Sequence, residues 1–349
     1  MAASANAQLA GKNVILIHGF KPQHILNPPS DEGLADALAY WVDFEPTIMD
    51  PATSRILHWP SDRRLSGAGG IAAVITVQLK LILESGFCDD QCILITHSTG
   101  DLVARYVLAN KLSLFGPTLA GRFKVAAVID MAGAGGGTEL ANLAVDAVKG
   151  VNTGAAILKA LSRFVGCDFQ YATTPGVLAD LQPGVARNTA VSSIPAIPHL
   201  RIVGSGTDLF GLITHPLIKG KDDSVVPLHS ACGAANNDAY DSCEQDLQMN
   251  GQVSHVSKAP SPSQLYDYHY PIILTAGVSH NEMQINKTGN DMTFALSNVD
   301  AYNNSDAKTL DVAVAQKTYR VWWGWFHDYR VITGAKEKSV GRVIADSFQ

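Results

Sequence analysis

The sequence predicts an α/β fold: a mostly parallel central sheet, helices on both faces, and an inserted helical lid. Three observations predict it. Short apolar runs alternate with stretches of helical period, the pattern of strand–helix–strand crossovers. With 349 residues, 46% hydrophobic and 17% charged, the chain has ample material for a large core. One apolar run, Cys92-Ile93-Leu94-Ile95, turns through Thr96-His97-Ser98-Thr99-Gly100 straight into a helical pattern over 102–108.

In chain order, strands are expected at 14–17, 56–59, 93–96, 125–131, 200–203 and 272–276. Helices are expected at 33–42, 72–85 and 102–109, and in pieces across 138–164. Residues 1–12 are read as an N-terminal tail. Its Ala-rich start lacks a basic n-region and a long apolar h-region, yet Ala-x-Ala is what stays near a cleavage site, so it is a candidate signal-peptide remnant. Residues 13–349 are read as one domain. Within it, 133–197 is too long for a simple crossover and is broken at Pro175-Gly176 and Pro183-Gly184, which reads as a lid or cap over the end of the sheet. The aromatic run Val321-Trp322-Trp323-Gly324-Trp325-Phe326 is read as a buried edge, with a lipid-contacting surface as the alternative.

Composition excludes some partners. No run reaches membrane-helix length, and a net charge of −6 offers no basic face for nucleic acid. Cys88 and Cys92 flank an acidic turn, Cys232 and Cys243 bracket a polar loop, and Cys167 stands alone. Two local disulfides imply an oxidising compartment, secreted or periplasmic; five ordinary thiols are the alternative. The spacings lack the paired ligands of a zinc site.

A strand, a sharp turn with serine at its apex and a new helix make the setting of a nucleophile elbow, so Ser98 is the candidate nucleophile. An ordinary serine N-cap is the alternative. A serine hydroxyl needs a histidine to take its proton and a carboxylate to fix that histidine's tautomer. Downstream, Lys221-Asp222-Asp223-Ser224-Val225-Val226-Pro227 is a polar turn with paired carboxylates; Asp223 is the preferred acid, ahead of Asp222, Asp208 and Asp130. His280 follows an apolar run and is the preferred base. His255 sits in a polar loop, and His269 precedes a strand, the wrong end of the sheet. The oxyanion hole needs two backbone amides, expected from Thr99 and from Phe20 in Ile17-His18-Gly19-Phe20. His18 is read as a turn-stabilising side chain.

Together these residues resemble the bacterial lipase/esterase branch of the α/β-hydrolases. The oxyanion segment at 17–20, the elbow at 95–101, the strand end Ile129-Asp130-Met131-Ala132-Gly133-Ala134-Gly135-Gly136-Gly137-Thr138 and the acid turn at 223–227 carry the resemblance. His280-Asn281-Glu282 stands where that family has its histidine. The match spans about 14 to 283 and leaves the last ~65 residues unplaced. Thr96 departs from the small residue usual in the elbow. Asp101 puts a carboxylate at a helix N-terminus, where it stabilises the dipole but repels an oxyanion if it points inward. The glycine run replaces a Pro-His pair and is expected to loosen or widen the cleft. The resemblance implies a serine carboxyl-ester hydrolase acting on small-molecule or lipid esters through an acyl-enzyme, with transient lipid-interface contact. No cofactor or metal is expected, because the family's calcium-binding aspartates have no counterpart. Acyl transfer, thioester cleavage or polyester hydrolysis by the same residues is the alternative, with a non-catalytic binding protein behind it.

Overall fold

Runs of Val, Ile and Leu pair into strands because both faces of a central parallel strand are buried. A computed structural model describes residues 8–29, 34–151, 162, 171–189, 196–209, 211–236, 238–239, 247–248, 252–253, 264–289, 291–294, 296–320 and 326–349. Its strands are β1 (Asn13–Ile17), β2 (Ser54–Leu57), β3 (Cys92–His97), β4 (Val125–Met131), β5 (His199–Gly204), β6 (Leu247–Gln248), β7 (Gln252–Val253), β8 (His269–Ala276), β9 (Asp291–Phe294), β10 (Ala315–Arg320) and β11 (Phe326–Val331). Nine of them form one sheet in the order β10-β11-β9-β8-β5-β4-β3-β1-β2, while β6 and β7 pair separately. The pairings from β2 through β8 are parallel, and those of β9, β10 and β11 are antiparallel.

Among the described residues, the helices of seven or more residues are α1 (Leu34–Tyr40), α2 (Ile71–Glu84), α3 (Thr99–Ala109), α4 (Lys111–Arg122), α5 (Glu139–Val148), α6 (Leu296–Asn303) and α7 (Val340–Ser347). They cover the sheet with two apolar clusters. Trp59, Ile71, Leu79, Leu102 and Val107 belong to one; Trp41, Phe44, Tyr302, Ile344 and Phe348 belong to the other. A parallel sheet with this strand order, helices on both sides and a serine turn at the end of β3 has the α/β-hydrolase fold.

Several expectations shift. The second strand ends at Leu57, two residues early, because Trp59 leaves the sheet to stack on the His18 ring at 4.6 Å. Helix α4, for which no helix is expected, hides behind Gly116-Pro117; Gly116 has φ 72° and kinks it. No strand is expected after 276, yet β9, β10 and β11 widen the sheet there. Residues 8–12 of the expected tail are docked: Leu9 is buried and its amide donates to the Phe348 carbonyl at 3.0 Å. Trp322, Trp323, Trp325 and His255 lie outside the described residues.

Within 133–197, the described pieces are α5 and the short turns Gly176–Ala179 and Pro183–Ala186. Cys88 and Cys92 form a disulfide, their Cα atoms 4.8 Å apart, closing the turn ahead of β3. Cys232 is also disulfide-bonded, whereas Cys167 and Cys243 lie outside the described residues. Among the described residues, no helix is long and apolar enough to cross a membrane.

Burial sets a pH dependence of stability. It lowers the pKa of His18 and of His199 to about 3. In the unfolded chain each imidazole takes its proton near 6.5, so between about 3 and 6.5 the unfolded state binds more protons. Stability is therefore complete above 6.5 and is lost as pH falls. Lowering pH from 7 to 5 is expected to cost about 2 kcal/mol per histidine. Urea unfolding at the two pH values checks this, and His18→Asn should flatten part of the slope.

Candidate active site

The elbow folds as it does because strand and helix backbones nearly touch. A Cβ on Gly100 would lie 2.4 Å from the Ile17 carbonyl oxygen, and one on Gly19 would lie 2.8 Å from the Ser98 Cβ. Only glycine fits at either place. Gly100→Ala must push β1 and α3 apart and is expected to cost about 1–3 kcal/mol; a thermal unfolding curve checks it. At the apex Ser98 has φ 56° and ψ −124°, a backbone region that side chains rarely adopt. Its amide donates to the Met131 carbonyl at 3.0 Å, and its own carbonyl accepts from Ala134 at 2.9 Å. The strained turn is thus pinned to the end of β4 and to the glycine-rich loop.

Sixteen of the described residues line one cavity of about 280 Å³, and Ser98 and His280 are among them. Ser98 Oγ lies 2.8 Å from His280 Nε2, and His280 Nδ1 lies 2.9 Å from Asp223 Oδ2. The other Asp223 oxygen accepts from the Val225 and Val226 amides at 3.1 and 2.7 Å. A carboxylate held this way leaves Nδ1 as the donor and Nε2 as the free acceptor toward serine. The His280 amide also donates to the Asp223 carbonyl at 2.8 Å, tying the two loops together.

Thr99 opens α3, so its amide has no acceptor within the helix. Among the described residues, neither it nor the Phe20 amide donates to a protein group. His18 holds the loop before Phe20: its Nδ1–H donates to the Gly19 carbonyl at 2.7 Å and its Nε2 accepts from the Trp59 amide at 3.3 Å.

The rival acids and bases are engaged elsewhere. Asp222 pairs with His215 at 2.6 Å, and burial raises its pKa. Asp208 Oδ1 accepts from the Gly211 amide at 3.0 Å. His269 is the first residue of β8 and stacks on His199, the first residue of β5, at 4.2 Å.

Both departures in the elbow serve one buried network. Thr96 Oγ1 donates to Asp130 Oδ1 at 2.7 Å. Arg201 bridges Asp101 and Asp130, its two terminal nitrogens each 2.8 Å from one carboxylate, with all three side chains fully buried. Burial alone would raise the Asp101 carboxyl, but the Arg201 and Arg105 charges outweigh it and hold it low. Burial, then the Asp101 charge, drive the Asp130 carboxyl well up from its ordinary value.

Asp101 therefore points into this network and is not among the residues that line the cavity. Its Oδ2 accepts from the Gly135 amide at 2.8 Å, while Arg105 donates to the Gly135 carbonyl at 2.8 Å. The glycine run is not loosened by its composition. A Cβ on Gly133 would lie 1.9 Å from the Asp130 carboxylate, and one on Gly135 would lie 2.2 Å from Asp101. These glycines let the loop close on buried charge.

His97 is a site residue the sequence analysis did not single out. Its Nε2 lies 3.0 Å from the His280 carbonyl oxygen, and its ring centroid lies 4.8 Å from that of His280. Its signal was adjacency to Ser98, which leaves the side chain's direction open. Among the described residues, the cavity's remaining lining is mostly apolar and carries no charged side chain: Leu140, Ala144, Leu178, Leu181 and Val225 are typical. Among the described residues, no group of three or more His, Cys, Asp or Glu is placed to hold a metal ion.

No protein-family model matches this chain, and no curated protein matches it. Similar solved structures are bacterial lipases and esterases. A lipase from Bacillus licheniformis is 16% identical over 66% of this chain and 82% of its own, with TM-score 0.42. Lipase 1 from Pelosinus fermentans is 14% identical over 78% and 93%, with TM-score 0.44. Staphylococcus hyicus lipase is 12% identical over 81% and 91%, with TM-score 0.43. Likenesses of this size carry nothing about substrate or chemistry.

Proposed function

We propose that this chain is a serine carboxyl-ester hydrolase. The observation that carries the reading is the continuous hydrogen-bonded line Ser98–His280–Asp223 opening into an apolar cavity. Ser98 Oγ attacks the ester carbonyl carbon as His280 Nε2 takes the hydroxyl proton, and Asp223 stabilises the resulting imidazolium. The Phe20 and Thr99 amides receive the developing oxyanion. Collapse breaks the ester C–O bond, and His280 returns its proton to the leaving alkoxide. Water then attacks the acyl-enzyme with His280 again as base, releasing the carboxylic acid and restoring the Ser98 hydroxyl.

The insertion 133–197 acts as a cap whose Leu140, Ala141, Ala144, Leu178 and Leu181 hold the acyl group. Among the described residues of the lining none is charged, so a charged acyl chain loses its hydration there without compensation and neutral esters are the favoured substrates. The Cys88–Cys92 disulfide supports an oxidising, secreted or periplasmic setting.

A fluorophosphonate probe tests the assignment: it is expected to label Ser98, and labelling elsewhere or not at all overturns it. The cavity's ~280 Å³ lies at the small end of ligand pockets, about 300–1,000 Å³. Among p-nitrophenyl esters, kcat/KM is expected to be higher for butyrate than for palmitate. The reverse order would mean that the cap opens to a longer groove.

A further inference from the structure

Tyr40 ends α1 and lines the cavity, yet its hydroxyl is turned to a hydrogen bond with His97 Nδ1. Its ring sits among His18, Trp41 and His97, with centroids 5.6, 5.3 and 5.8 Å away. The far side of His97 meets the His280 carbonyl oxygen. A carbonyl only accepts, so Nε2 must carry the proton. The ring is neutral: burial, then the repulsion a protonated His280 would exert, hold its pKa well below the ordinary histidine value. A neutral ring protonated at Nε2 has a bare lone pair at Nδ1, and the Tyr40 O–H is the donor that meets it.

We propose that Tyr40 is a positioning residue: by donating to His97 Nδ1 it selects the tautomer whose Nε2–H holds the His280 backbone and fixes that ring against Ser98. This rests on the ester-hydrolase reading. The opposite tautomer would set the Nε2 lone pair against the His280 carbonyl oxygen across 3.0 Å, which is repulsive. The His280 loop is thus gripped on both sides, its carbonyl by His97 and its amide by Asp223. Displacing a catalytic group by about 1 Å costs about 10²-fold in rate.

The experiment is a double-mutant cycle on p-nitrophenyl butyrate, with kcat normalised to active sites titrated by a fluorophosphonate so that unfolded protein does not count. Tyr40→Phe keeps the ring contacts and removes only the hydroxyl. It is expected to lower kcat about 10–100-fold, leave KM within about twofold, and slow phosphonate labelling in proportion. His97→Gln supplies an amide, which has no tautomers and still offers an N–H to the His280 carbonyl. In that background Tyr40→Phe is expected to cost less than about threefold. Wild-type kcat in Tyr40→Phe, or an equal loss in both backgrounds, overturns the proposal. Turnover that survives Ser98→Ala instead removes the ester-hydrolase reading, a distinct result.

Discussion

Ser98→Ala is expected to lower kcat for a p-nitrophenyl ester by about 10⁶-fold, the scale seen when the nucleophile of such a triad is removed. The variant keeps the Cβ and therefore the same elbow backbone, so its unfolding midpoint should match that of the wild type. KM should change little, because the cavity that holds the acyl group is untouched. About 10³–10⁴-fold acceleration over water is expected to remain from the two proposed oxyanion amides and from binding alone. A variant that turns over within tenfold of the wild type would place the chemistry elsewhere and remove Ser98 from it.

Arg201→Met is expected to destabilise the protein by about 3–5 kcal/mol, the cost of leaving a buried carboxylate without its partner. The methionine fills similar space, so the loss is electrostatic rather than a cavity. Asp101 is then left with the Arg105 charge alone or takes up a proton, and protonation weakens its bond to the Gly135 amide. Because that loop carries Ala134 and Thr138 on the cavity wall, KM should rise as stability falls. Urea unfolding gives the first quantity and ester kinetics the second. A loss below about 1 kcal/mol would show that the charges find water or each other without Arg201.

The parallel strands were legible because buried strands write themselves as unbroken apolar runs: 125–131 coincides with β4, and the others differ by a few residues. Strands β9, β10 and β11 were not, since Ala-Gln-Lys-Thr-Tyr-Arg in β10 is largely polar and lies at an edge. The turn that carries Ser98 was legible from the strand–turn–helix change of period. Asp223 and His280 were chosen only through order along the chain; the structure places both in one hydrogen-bonded line with Ser98, whereas Asp222 pairs with His215 and His269 stacks on His199. The roles of Thr96, Asp101 and His97 were hidden because each is defined by a partner distant in sequence: Asp130, Arg201 and His280. No local pattern encodes a bridge of 34, 100 or 183 residues.

The antiparallel strands have a consequence for how this sheet meets its neighbours. Without them, β8 would present His-Tyr-Pro-Ile-Ile-Leu-Thr-Ala as a bare, mostly greasy rim able to recruit another chain. With them, the outermost strand on that side is β10, whose exposed Lys317 discourages stacking, while the opposite rim, β2, is only four residues long. The residues after 283 thus guard against aggregation, and a chain cut there should precipitate even though every proposed catalytic group remains.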